Sequence, residues 1–83
     1  MTADALTEIC RASLKDERYV VVVHRGISRD VYPYRIRDGK LYCYCTLHPE
    51  REVESMYLYN ISSAYTSGNE LDMIFNFDSD FSS

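Results

Sequence analysis

The spacing of apolar positions changes once along this chain, near residue 18. Before that point Leu6, Ile9, Cys10, Ser13 and Leu14 recur at i, i+3, i+4, i+7 and i+8, which places them on one stripe of a helix. Thr2 suits the N-cap, Asp4 falls in the first turn where the helix dipole favours an acid, and Arg11 and Lys15 lie toward the other end. After Arg18 the pattern is that of strands and turns. Tyr19 to His24 is a continuous β-branched run, too apolar for a half-solvated strand, which predicts a central one. Gly26 to Asp30 reads as a turn. Val31–Arg37 and Lys40–Leu47 flank Asp38-Gly39, a strong hairpin signal. His48-Pro49-Glu50-Arg51 reads as a loop, followed by a strand over about Glu52 to Ile61. A bend at Ser62-Ser63, a short segment around Tyr65 and a turn at Ser67-Gly68-Asn69 follow. The alternation of Met73, Phe75 and Phe77 predicts a last edge strand.

The elements sum to a mainly β fold: an N-terminal α-helix over residues 2–16, then a small five-stranded antiparallel barrel of SH3-like or Sm-like type over residues 18–77. Residues 78–83 are expected to fray as an acidic tail. No linker divides the 83 residues, so one domain is expected. Closure into a barrel removes edge groups that could otherwise recruit another sheet.

Tyrosines recur around single residues at Tyr32-x-Tyr34, Tyr42-x-Tyr44 and Tyr57-x-Tyr59, and on a strand such pairs share a face. The hairpin register separates them. A two-residue turn at Asp38-Gly39 pairs Arg37 with Lys40, Ile36 with Leu41, Tyr34 with Cys43 and Tyr32 with Cys45. Tyr32 and Tyr34 then join Ile36, Leu41, Cys43, Cys45 and Leu47 in the core. Arg35, Arg37, Lys40, Tyr42, Tyr44 and Thr46 take the opposite face. A three-residue turn would instead mix the two arginines with Leu41 and the cysteines, and burying unpaired guanidinium groups is costly. The two-residue register is therefore expected. The register of Tyr57 and Tyr59 stays open.

Composition and charge refine this picture. The net charge of -4 conceals a segregation: every Lys and Arg lies between Arg11 and Arg51, while residues from Glu52 onward carry -6. Between Arg18 and Lys40 the balance is +4, which permits a local anion-binding patch. The face bearing Arg35, Arg37, Lys40, Tyr42 and Tyr44 interleaves cations with rings, as phosphates and bases require. The same residues could equally satisfy one another as cross-strand cation–π pairs. The longest purely apolar stretch, Tyr19 to Val23, is too short to span a membrane, and no secretory leader precedes it, so a cytoplasmic protein is expected. Three cysteines, Cys10, Cys43 and Cys45, are an odd number and suit reduced, buried thiols.

Catalytic and metal chemistry find little support. Cys43-x-Cys45-x-x-His48 lacks the wider knuckle that converges two sulfurs on zinc, even with His24 or Cys10 as a fourth ligand. A Cys–His nucleophile pair from the same residues lacks an orienting group, and the three glycines form no phosphate loop. No catalytic residue, metal or cofactor is expected. The end Phe75-Asn76-Phe77-Asp78-Ser79-Asp80-Phe81 reads either as a last strand with its tail or as a partner-binding peptide.

The order of elements resembles a WYL domain, an Sm-like barrel module seen in bacterial transcription regulators and in accessory proteins of phage-defence systems. The resemblance covers about Leu6 to Gly68. Arg29-Asp30-Val31-Tyr32-Pro33-Tyr34 is similar to the family's Arg-x-Val-x-Pro stretch, with the proline one position nearer. Gly39-Lys40-Leu41-Tyr42-Cys43-Tyr44-Cys45 falls where Gly-x-Trp-Tyr-Leu would stand, keeping Tyr42. Met56-Tyr57-Leu58-Tyr59-Asn60-Ile61 resembles the later Phe-x-Leu-Asp-Arg-Ile stretch, with Asn60 in place of its arginine and Glu54 near another expected arginine. The resemblance implies a non-catalytic regulatory module of a prokaryote or phage that senses a nucleotide or single-stranded nucleic acid. Without the winged helix-turn-helix that usually accompanies the module, direct operator binding is not expected. The alternative is a protein-interaction or dimerisation adaptor, or an acidic inhibitor of a nucleic-acid-binding partner.

Overall fold

A computed structural model describes residues 1–46, 53–72 and 79–81. Helix α1 (Ala3–Lys15) leads into strands β1 (Arg18–His24), β2 (Ile27–Arg37), β3 (Lys40–Cys45), β4 (Val53–Tyr57) and β5 (Ile61–Glu70), with a 3₁₀ turn at Leu58–Asn60. The strands form one antiparallel sheet in the order β4-β3-β2-β1-β5. The chain is thus a mainly β fold, an N-terminal helix followed by a small five-stranded barrel-like sheet.

Helix α1 starts where Thr2 accepts a hydrogen bond from the Ala5 amide at 3.3 Å. Leu6, Cys10, Ser13 and Leu14 are its buried face, and that face lies against β1, β5 and β2. Ser13 Oγ donates to the Ile9 carbonyl at 2.8 Å and stands 2.7 Å from Thr66 Oγ1 on β5, so the one polar residue of the stripe is satisfied where helix meets sheet. Beneath the helix lie Val20, Val22, Val31, Leu41, Cys43, Cys45, Met56 and Ile61. Strand β1 is central, as its β-branched run predicts, with β2 on one side and β5 on the other.

Bulges curve the sheet. An extra residue in a strand bends it and raises its twist, and the pairing shifts register between Pro33 and Arg35 on β2 and at two points between β1 and β5. The Ser67-Gly68-Asn69 stretch expected to turn is instead a bulge inside β5, where Arg18 Nη1 donates to the Gly68 carbonyl at 2.7 Å and the Asn69 amide to Ser67 Oγ at 3.0 Å. The break expected at Ser62-Ser63 comes earlier, at the 3₁₀ turn, and β5 runs unbroken through Tyr65. The β1–β2 connection is also tighter than expected: Arg25 and Gly26, at φ of 52° and 82°, make the whole turn, with His24 paired to Ile27.

The expected 48–51 loop and the strand over Met73, Phe75 and Phe77 fall outside the described residues. The tail expected to fray does not do so at residues 79–81. Ser79 and Phe81 are buried, Ser79 Oγ donates to the Pro33 carbonyl at 2.6 Å, and the Asp80 amide donates to the Tyr34 carbonyl at 2.9 Å.

Candidate ligand-binding face

The hairpin that carries the candidate residues turns through Asp38 and Gly39, whose φ angles of 54° and 72° are those of a two-residue turn. Next to the turn the register matches expectation: Arg37 pairs with Lys40, Ile36 with Leu41 and Arg35 with Tyr42. Beyond Tyr34 it slips by one, so Pro33 opposes Cys43, Tyr32 opposes Tyr44 and Val31 opposes Cys45. The expected pairs Tyr34–Cys43 and Tyr32–Cys45 are therefore corrected. Pro33 and Val31, not the two tyrosines, complete the core face beside Cys43 and Cys45. Tyr32 is still buried, but from the other pleat, across from Tyr44. Tyr34, the bulged residue, is half-buried and turns toward Arg35. The signal for this was Pro33: a proline inside a sheet usually marks an edge or a bulge.

On the outer face the cross-strand rows continue into β4. Arg37, Lys40 and Tyr57 stand side by side, then Arg35, Tyr42 and Ser55, then Tyr32, Tyr44 and Val53. Positions two apart on a strand share a face, so Arg35, Arg37, Lys40, Tyr42 and Tyr44 occupy one surface of the hairpin. Within it they divide. Arg35 and Arg37 line a depression of about 350 Å³ with Tyr34, Asp38 and Tyr42. Lys40 lies outside that depression, its Nζ 5.0 Å from the centre of the Tyr57 ring. Tyr44 is also outside it, in the row with Tyr32.

Arg35 is the organising side chain. Its guanidinium carbon stands 4.8 Å from the Tyr34 ring centre, and its Nη2 donates to Tyr34 Oη at 3.0 Å. That hydrogen bond raises the guanidinium pKa above its ordinary value, with Asp80 and Tyr42 adding to the effect. Arg35 Nε is shielded from water and has no hydrogen-bond partner among the described residues. Arg37 meets the Asp38 carboxylate at 3.8 Å, an exposed contact of little strength. Tyr57 and Tyr59, left open by sequence, stack on each other with ring centres 4.9 Å apart and planes at 18°.

A second group of charges lies apart from this face. Arg29 and Glu54 form a half-buried ion pair at 3.7 Å. His24 has its pKa lowered by loss of water contact, then by Arg29 and Arg25, against an opposing effect of Glu54. Cys43 and Cys45 alternate with exposed neighbours along β3 and are both buried. Burial pushes the Cys10 thiol up to about 12 and raises Cys43 as well, with Glu54 adding to the latter. Among the described residues, no three His, Cys, Asp or Glu side chains converge as metal ligands, and no helix is long and apolar enough to cross a membrane.

No protein-family model matches the chain, and no curated protein matches it.

Proposed function

We propose that this chain is a non-catalytic, WYL-like regulatory module that binds a nucleotide or single-stranded nucleic acid on its outer hairpin face. The observation that carries the reading is the depression that gathers Arg35, Arg37, Tyr34 and Tyr42. Two guanidinium groups supply the planar donors that suit phosphate oxygens, and the phenol rings supply stacking surface for a base. Arg35 is already oriented by its contact with Tyr34, which lowers the entropy lost when it meets a ligand. The order of helix and strands is what the WYL resemblance implies.

The test is fluorescence anisotropy with short labelled single strands at low salt. Binding should weaken as salt rises, with a log–log slope near -2 if about three phosphates are neutralised. Arg35→Ala and Tyr42→Ala should each reduce affinity about tenfold or more while leaving the circular dichroism spectrum intact. Absence of binding at low salt by strand and nucleotide alike would sink the reading. A dimer insensitive to salt and dissociated by Tyr42→Ala would replace it with an adaptor role.

A further inference from the structure

We propose that the ligand is a polynucleotide strand and not a free nucleotide, and that the Tyr57–Tyr59 stack is a second subsite that receives one of its bases. This rests on the nucleic-acid reading above and specifies it.

The row Arg37–Lys40–Tyr57 crosses β2, β3 and β4 on one face, so cation leads to cation and then to ring. Two strand spacings cover about 10 Å, and Tyr59 stands a further 4.9 Å from Tyr57. A base laid on Tyr59 is therefore too far from the Arg35–Arg37 depression for its own phosphate to reach both arginines. A strand of two or more nucleotides spans the distance, with Lys40 between the subsites to meet a phosphate.

The stack is also unusual as a structural device. Tyr59 is 77% exposed and Tyr57 45% exposed, so the pair contributes little to the core. Two rings held nearly parallel form a preset platform whose outer surface is open, and π-stacking on such a platform is tolerant of base identity. Charge agrees with the choice of occupant: Arg35, Arg37 and Lys40 face outward here, with Asp38 and Asp80 at the border. Glu54, on the neighbouring strand, opposes Cys43 on the other face and is paired with Arg29.

The experiment compares a fluorescein-labelled oligothymidine of about eight nucleotides with thymidine 5′-monophosphate as competitor, on wild type, Tyr59→Ala, Tyr59→Phe and Arg35→Ala. Wild type should bind the oligomer well above the mononucleotide. Tyr59→Ala should weaken oligomer binding roughly 5- to 150-fold and leave mononucleotide binding unchanged, and Tyr59→Phe should restore it. Because Tyr59 is exposed, the variant should fold, with thermal melting as the control. Equal oligomer affinity for wild type and Tyr59→Ala overturns the second subsite, while continued loss with Arg35→Ala leaves the nucleic-acid reading standing. Failure of wild type to bind either probe removes both. Dissociation of a dimer by Tyr59→Ala assigns the stack to a second copy of the chain and overturns this inference.

Discussion

At Asp38 and Gly39 the backbone passes twice through the left-handed region, with φ of 54° and 72°. Aspartate tolerates that region and glycine adopts it without strain. A Cβ added at Gly39 would meet nothing within 4 Å, so the cost of Gly39→Ala is conformational alone. It should destabilise by about 1–2 kcal/mol, seen as a lower urea midpoint with an unchanged slope. The cysteines make a second prediction at this scale. All three are buried, and burial holds Cys10 and Cys43 in the unreactive thiol form. Native protein should resist iodoacetamide at pH 8, while protein in denaturant should take up three equivalents by mass spectrometry. Rapid native labelling of any cysteine would contradict the burial described. The identities of these residues made both features legible in sequence: Asp-Gly marks the turn, and alternation along β3 marks the buried thiols.

Among the elements, β2 decides the site. Its hydrogen bonding to β1 ends at Val31, and the backbone carbonyls of Pro33 and Tyr34 are taken up by Ser79 and Asp80. Ser79 Oγ also accepts from the Phe81 amide at 3.2 Å. Ser79→Ala should therefore cost about 1–2 kcal/mol, because buried backbone groups lose their partner. The outcome is read by thermal unfolding, and Ser79→Thr tests whether a hydroxyl suffices. A neutral Ser79→Ala would show that the C-terminal residues do not brace the bulge. The helix was fully readable from its spacing and cap. The bulge at Tyr34 was not, because hairpin periodicity assumes an unbroken register and one inserted residue exchanges the faces of everything beyond it. Likewise Ser67-Gly68-Asn69 has turn composition, and only its pairing with β1 makes it part of a strand.

For the whole molecule, the charge arrangement predicts a pH response. His24 has a lowered pKa in the fold, so the unfolded chain binds its proton more readily. Its contribution to stability is present above the ordinary histidine value of about 6.5 and is lost as pH falls through that value to the lower folded one. Urea midpoints should therefore decline as the medium moves from about pH 7 toward pH 5.5. His24→Gln should flatten that decline, and an unchanged decline would assign it to other groups. The segregation of charge seen in sequence has a spatial counterpart. Arg29 is spent on Glu54, whereas Arg35, Arg37 and Lys40 face outward together with rings.

The sequence by itself determined the helix, the number and antiparallel sense of the strands, the central place of β1 and the two-residue hairpin turn. Each of these follows from local periodicity or backbone preference, which residues carry with them. The tertiary structure alone decided the Tyr34 bulge, the docking of Ser79 to Phe81 and the stacking of Tyr57 on Tyr59. These depend on which strand lies beside which, a long-range pairing that leaves no local period. The candidate face was thus half legible: its residues could be read from the hairpin, but their division into a cationic depression and an aromatic stack required β4 at its side.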